Sequence, residues 1–527
     1  MILRPRPHRG LAALLWLTCL PLAAHAQKPA APPPGFDAYV ARVLEAFTVP
    51  GVAIAIVKDG KVVLARGFGV RQLGDSTPVD AETRFGIASN SKVFTATALA
   101  MLVDEGKVEW DAPVIRYLPW FALYDPYVTR ELTVRDLLVH RSGFGLGAGD
   151  LLWWPPTTYG REEIARRLRF IRPATSFRSA YAYDNVLYLV AGEVIEAVSG
   201  QSWEEFVRTR ILERLGMTHS DAGHSSAGEP GNVATPHAEV DDTVRPVTPF
   251  VSDNANPAAG IVSGAADMAK WVMVQLDSGR VADGSRLFSP AETRQLWREV
   301  TPEPISEPPP DLPHLRANFY GYALGLETRD YRGKQLLTHT GGLPGYVSRV
   351  AMLPELRLGV VVLTNQESGL AFNALTYRIL DHYLGVKKAP DYVGAYLKLR
   401  RQNRDRLARL ASEADAARDS TSGPSLPLAR YAGTYRDAWY GDVTITAERG
   451  GLVIRMTRTP SMVGDLRHWQ HDTFVARWRD RELRADAYVT FALEPDGTID
   501  QVKLAPTSPS VDFSFDFQDL LLKPVAR

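Results

Sequence analysis

The stretch Ser89-Asn90-Ser91-Lys92 holds the first chemistry that the sequence offers. A serine hydroxyl is a weak nucleophile until a neighbour takes its proton, and a desolvated lysine amine can do so. Residues i and i+3 share a helix face, so a helix here sets Lys92 beside Ser89. The plainer reading is an N-cap serine followed by a solvated lysine, and Ser-x-x-Lys arises by chance roughly once or twice in a chain of this length. Tyr183-Asp184-Asn185 opens a helical run. A phenol near a lysine ammonium can be held toward its ionised form and accept a proton from serine, and an asparagine two residues on can orient the lysine or donate to a substrate carbonyl. His339-Thr340-Gly341-Gly342 directly follows a strand pattern over 335–338. Glycines at a strand edge let a substrate approach the backbone, and the Gly342 N–H can pair with the Ser89 N–H as an oxyanion hole. Taken singly, the last two also read as a helix entry and a glycine turn.

The elements that must position these residues are legible as patterns. Residues 36–47 have helical apolar spacing. Residues 52–57 and 62–65, joined by Lys58-Asp59-Gly60-Lys61, read as a β-hairpin, since Asp-Gly between β-branched runs is a strong turn signal. From Lys92 to about Leu276 the pattern is mainly helical, with runs over 133–139, 184–198 and 203–215. Residues 220–260 are rich in Gly, Pro and Asn and read as long loops, and 301–313 carry six prolines. Strand patterns return at 335–338, 347–353 and 358–363, followed by a helix over about 372–384. A charged, weakly amphipathic helical stretch over 391–418 leads into Asp419-Ser420-Thr421-Ser422-Gly423-Pro424-Ser425, a linker composition. From Leu428 onward short alternating runs at 443–446, 452–456, 473–478, 487–493 and 502–504 suit a small β-barrel or sandwich, with Trp439, Tyr440 and Trp469 in its core.

A chain of 527 residues is too long for one core, which makes two folded domains the expectation. Its 60 basic and 60 acidic side chains give zero net charge, which argues against a nucleic-acid partner. Arg4, Arg6 and Arg9, the apolar run 11–24 and Ala24-His25-Ala26 form the three regions of a secretory signal peptide, too short an apolar stretch for a comfortable membrane span. The one cysteine, Cys19, falls inside it, so the mature chain has no thiolate, disulfide or cysteine-bound metal to use. The expected location is therefore the periplasm or the medium, with no stable membrane span after cleavage.

Serine-lysine, then tyrosine-asparagine, then strand-borne His-Thr-Gly-Gly, in that order, resembles the serine β-lactamase and penicillin-binding-protein superfamily in its class C and esterase branch. The likeness runs from about Pro50 to Leu384 and includes Leu132–Gly143 and Pro257–Ala269, read as structural stretches, with His140 a packed helix-end histidine. The resemblance implies an α+β, β-lactamase-like fold: an antiparallel sheet of the N-terminal hairpin and later strands, flanked by helices, with a mainly helical lobe. It also implies Ser89 as nucleophile, Lys92 and Tyr183 sharing acid–base work, and Asn185, His339, Thr340 and Gly341 contacting substrate. Ser89 and Gly342 supply the oxyanion hole; which of Lys92 and Tyr183 is the base stays open. The segment Tyr431–Gly441 resembles the lipocalin-like barrel appended to many such proteins. The expected layout is a signal peptide over 1–26, a lead-in over 27–35, the hydrolase domain over 36–388, a charged helix and linker over 389–426, and the barrel over 427–527.

One departure shapes the functional expectation. Where β-lactamases and DD-peptidases of this superfamily carry Lys-Thr-Gly, this chain has His339, largely neutral at pH 7. Without a fixed cation, recognition of a β-lactam or peptide carboxylate weakens. The expectation is thus a serine hydrolase of esters or small peptides, those with D-amino acids included, needing no cofactor or metal. The alternatives are a β-lactamase or DD-peptidase and a non-catalytic binding or sensor protein on the same fold. The other histidines lack metal-ligand spacing. Gly223-His224-Ser225-Ser226-Ala227 lacks the strand-turn-helix context of a nucleophile elbow. Trp153-Trp154-Pro155-Pro156 reads as a buried anchor, with an aromatic wall for substrate as the second reading. A loop of the C-terminal region reaching over the cleft is a further option.

Overall fold

The hairpin is built as its turn residues require: strands Gly51–Lys58 and Lys61–Gly69 meet at Asp59 and Gly60, whose φ values of 52° and 73° are the left-handed pair of a tight two-residue turn. This computed structural model describes Met1 and residues 30–526. The signal sequence expected over 1–26 therefore lies, apart from Met1, outside the described residues.

The hairpin is one side of an eight-stranded antiparallel sheet. Across it the order is Lys61–Gly69, Gly51–Lys58, Leu358–Thr364, Tyr346–Leu353, Lys334–Leu343, Glu327–Tyr331, Tyr320–Tyr322 and Thr301–Pro302. Strand Gly51–Lys58 is apolar on both faces because both are covered. Val52, Ile54 and Ile56 join a core with the helices Phe36–Phe47 and Gly369–Tyr383. Ala53, Ala55 and Val57 join a larger one with the helices Lys92–Asp104, Val186–Ser199 and Ala265–Leu276. Alanines on the second face let helix Ala265–Leu276 come close: a Cβ on Gly359 would lie 2.1 Å from Val272 Cγ1.

Two helical expectations are corrected. Residues 133–139 form only a tight turn, Arg135–Leu138. The buried Asp136 carboxylate accepts from the Thr133 N–H and hydroxyl at 3.0 and 2.7 Å and pairs with Arg141 at 2.8 Å, and the chain then turns left-handed at His140, φ 55°. A side chain that takes up local donors competes with helix propagation. The run 203–215 is helical but interrupted by a wider turn over Arg208–Leu212. The loops expected over 220–260 contain a hairpin, His237–Val240 with Thr243–Pro246.

The charged stretch is the helix Tyr392–Ala417, whose first turn buries Tyr392, Val393 and Tyr396 while the rest is mostly exposed. After it, eight antiparallel strands curl in the order Ile499–Pro506, Ala487–Leu493, Thr473–Trp478, Val463–Gln470, Gly451–Met456, Gly441–Glu448, Gly433–Asp437 and Lys523–Pro524. A bridge between Val502 and Leu522 nearly closes this barrel. Tyr431, Phe474 and Phe491 fill it, with ring centroids 4.8–5.8 Å apart. Trp439 and Tyr440 are buried as expected. Trp469 is not in the core: it is half-buried under the Arg418 guanidinium, 4.7 Å away. Barrel and sheet region share one continuous apolar cluster, and from Pro32 onward the chain is one compact unit.

Candidate active site

Ser89 lies in a tight turn, Ala88–Ser91, that runs straight into helix Lys92–Asp104. Its side chain does not cap that helix. Ala88 has φ 51°, a left-handed conformation that costs an alanine about 1 kcal/mol. Neighbouring bonds hold it there: Ile87 donates its N–H to the Ile261 carbonyl at 3.0 Å and accepts from the Ser348 hydroxyl at 2.6 Å. The turn leaves Ser89 partly exposed and sends Lys92 inward, fully buried.

The Lys92 ammonium finds one acceptor for each of its three protons: Ser89 Oγ at 3.0 Å, Asn185 Oδ1 at 2.7 Å and the Ala258 carbonyl at 3.0 Å. If it loses a proton, two N–H bonds still hold Nζ and the lone pair faces the serine hydroxyl. Burial pulls the lysine down to about 7, against the opposing pull of Asp150 and Asp184. Asn185 is fixed from behind, since its Nδ2 donates to Asp150 Oδ2 at 2.8 Å. Asp150 also accepts from Trp153 Nε1 at 2.8 Å and from the Ser514 hydroxyl at 2.8 Å. Burial pushes both Asp150 and Asp184 up to about 7.

Tyr183 is half-buried, with the Lys92 ammonium 4.9 Å from its ring centre. Here the chemistry differs from the expectation of a phenol held near its ionised form. Burial pushes the phenol up, and the hydrogen bond with Ser89 recovers only part of that. Tyr183 is therefore a proton donor at neutral pH. Around it stand His140, 4.2 Å between ring centres, Tyr322, and Phe513 from the C-terminal segment, 6.0 Å away edge-on. His140, read from sequence as a packing residue, is buried and accepts the Asp184 N–H on Nδ1 at 3.2 Å.

The opposite wall is strand Lys334–Leu343. His339 is buried, and its contacts fix its tautomer: Nδ1 donates to the Thr340 carbonyl at 2.6 Å, and Nε2 accepts from the Tyr322 hydroxyl at 2.8 Å. Burial first, and Lys92 second, push this imidazole down to about 3, so it is neutral throughout the physiological range. Gly341 is the contact point between the walls, for a Cβ there would lie 2.3 Å from the Ile87 carbonyl and 2.9 Å from Ala88 Cβ. The next glycine, Gly342, is exposed, with no heavy atom within 4 Å of a would-be Cβ. The strand thus touches the serine turn at one glycine and opens at the next.

Serine, lysine, tyrosine and asparagine converge, with the histidine strand facing them. Asp150, Tyr322, Ser514 and the Ala258 carbonyl join them without any motif in the sequence to mark them. Ala258 lies in the stretch assigned a structural role, held to the helix because Thr95 Oγ1 donates to the Pro257 carbonyl at 2.7 Å and the Ile261 N–H to Ser91 Oγ at 2.9 Å. Trp153 and Trp154 are buried, as the anchor reading expects. Gly223-His224-Ser225-Ser226-Ala227 forms a short tight turn rather than an elbow. Among the described residues no group of three or more His, Cys, Asp or Glu side chains is arranged to hold a metal ion, and no helix is long and apolar enough to cross a membrane.

Known proteins resemble this chain in sequence and in fold. It is 29% identical over 494 residues to "Unguisins hydrolase ungD" of Aspergillus violaceofuscus, covering 88% of this chain and 86% of that protein. The octameric penicillin-binding protein homologue from Pyrococcus abyssi superposes with a TM-score of 0.56 at 22% identity, over 93% of this chain and 99% of that one. A D-stereospecific amidohydrolase from Streptomyces superposes with a TM-score of 0.52 at 22% identity, over 67% and 99%. Fold and relatives together define a serine hydrolase. The chain belongs to the beta-lactamase family, whose match spans residues 36–384, and residues 417–524 match a domain of unknown function.

Proposed function

We propose that this chain is an exported serine hydrolase that cleaves esters or small peptides, D-amino-acid-containing ones included, through an acyl-enzyme on Ser89. The observation that carries the reading is the Lys92 amine 3.0 Å from Ser89 Oγ, buried and anchored by two other acceptors. Lys92 takes the serine proton as Oγ attacks the substrate carbonyl. The oxyanion sits against the N–H groups of Ser89 and Gly342. The tetrahedral intermediate expels an alcohol or amine, which takes a proton from Tyr183, the group that burial keeps protonated. The Lys92 ammonium passes its proton on to the Tyr183 phenolate, which resets both groups. Water then attacks the acyl-enzyme as Lys92 takes its proton, Ser89 leaves with a proton from Tyr183, and the same transfer restores the pair. Export rests on the three-part pattern of residues 1–26.

The neutral His339 wall supports esters and uncharged peptide ends over β-lactams, because a substrate carboxylate meets a neutral imidazole at position 339 instead of a cation. The hydrolase relative named for unguisins fits the reading without fixing a substrate. Three substrates test it: p-nitrophenyl acyl esters, D-amino-acid p-nitroanilides and a chromogenic cephalosporin, each with Ser89→Ala in parallel. Ester or anilide cleavage that vanishes in Ser89→Ala is expected. Activity surviving the substitution overturns the mechanism, and fast cephalosporin turnover with slow ester cleavage overturns the substrate class.

A further inference from the structure

The segment between the barrel's long last hairpin and its closing strand packs Phe517 on Trp478 of the barrel and also reaches beyond it. It crosses to the loop at 147–151. Asp516, fully buried, accepts the main-chain N–H groups of Gly149 and Leu151 at 2.7 and 3.0 Å, the two residues flanking Asp150. Ser514, 3% exposed, donates its hydroxyl to Asp150 Oδ2 at 2.8 Å, the oxygen that also receives the Asn185 amide. Phe513 lies against Gly147, where a Cβ would stand 2.7 Å from the Phe513 carbonyl, and sets its ring edge-on to Tyr183. A continuous line of hydrogen bonds thus runs Ser514–Asp150–Asn185–Lys92.

We propose that Ser514, held in place by Asp516, is a positioning residue of the active centre, orienting the Lys92 amine through Asp150 and Asn185. The C-terminal region is then a working part of the hydrolase. The inference rests on the reading of Ser89 and Lys92 given above. It follows from what each group can do. A buried carboxyl satisfied by three donors holds one orientation; removing the serine hydroxyl leaves Oδ2 with the Asn185 amide alone and loosens that orientation. Asn185 then loses its fixed partner, and Nζ loses the aim of one of its three bonds. The charge field changes too. Lys92 is faced by Asp150 and Asp184 from the helical lobe, by Tyr183, Tyr188 and His140 around it, and by His339 from the sheet, while Asp516 faces Asp150. The Ser514 hydroxyl favours the ionised form of Asp150. Without it Asp150 is more readily neutral, the ammonium loses a stabilising charge, and Lys92 deprotonates at lower pH.

The test uses the full chain and an alkyl fluorophosphonate, which needs no knowledge of the natural substrate: Ser89 Oγ attacks phosphorus, fluoride leaves and the serine proton passes to Lys92. Ser514→Thr and Ser514→Val have nearly the same volume and differ in the hydroxyl. Ser514→Thr is expected to keep the wild-type labelling rate and pH profile. Ser514→Val is expected to label roughly 10-fold more slowly on the plateau, within the ~10²-fold that a misplacement of about 1 Å costs, with the acidic limb moved to lower pH. Asp516→Asn, which can no longer accept both N–H groups, is expected to move the same two readouts in the same direction. A Ser514→Val enzyme whose rate and pH profile superpose on wild type overturns the proposal even if it melts at lower temperature, since a purely structural serine would do only that. Unchanged labelling of Ser89→Ala instead overturns the reading of Ser89 itself and the inference with it.

Discussion

The two walls of the cleft solve opposite problems. The wall that carries Lys92 concentrates ionisable groups where water cannot reach them, and the lysine, Asp150 and Asp184 are all displaced toward about 7 by burial. The wall that carries His339 has a ring closed in a neutral circuit between Tyr322 and Thr340. Chemistry is loaded on one side; the other offers shape and main-chain donors. On the proposed function, a substrate against such a wall is selected by fit and by its carbonyl more than by charge.

The sharpest way to break the contrast is at its charged side. Lys92→Met removes the amine facing Ser89 and is expected to lower kcat/KM for an ester by about 10³-fold or more, measured by initial rates. Next in size is pH. The reactive amine grows as pH rises through about 7, so kcat/KM at pH 5 is expected to be about 10²-fold below its plateau. The neutral wall adds no second limb between pH 5 and 9, because His339 titrates near 3. A descending limb inside that window that disappears in His339→Gln contradicts the assignment. Gly341→Ala attacks the point where the walls touch. Its Cβ meets the Ile87 carbonyl at 2.3 Å, so strand or serine turn must yield, with an expected loss of ~10²-fold in kcat and a lower melting temperature. His339→Lys puts a cation on the neutral side and is expected to raise the cephalosporin-to-ester rate ratio by about 10-fold. The smallest effect is that of Tyr322→Phe, which leaves His339 Nε2 without its donor and is expected to cost about 1 kcal/mol in denaturant unfolding.

What the sequence disclosed and what it concealed follow the same division. Ser89 and Lys92 are three residues apart, so local periodicity placed them together; Asn185 starts a helix, and the order of the motifs and the family resemblance assigned it to the site. The hairpin was legible because Asp59-Gly60 demands one turn geometry. Asp150 was not, being one acid in a loop whose partner, Ser514, is 364 residues further on. Ala258 acts through its main-chain carbonyl, which no residue type announces. Tyr183 was identified by its type and place, but its protonation depends on burial that sequence does not display. The helix expected over 133–139 failed for a local reason, Asp136 spending its carboxylate on Thr133 and two arginines.

The bond between Ser514 and Asp150 also sets a clock. At synthesis rates of about 5–20 residues per second, Ser514 is made roughly 20–70 s after the aspartate it holds, a gap fixed by their separation of 364 residues. For that interval the growing chain carries Ser89 and Lys92 without the hydrogen bond from Ser514 to Asp150. If Ser514 positions the centre as proposed, a nascent chain gains its full rate only when this late segment folds back onto the early one.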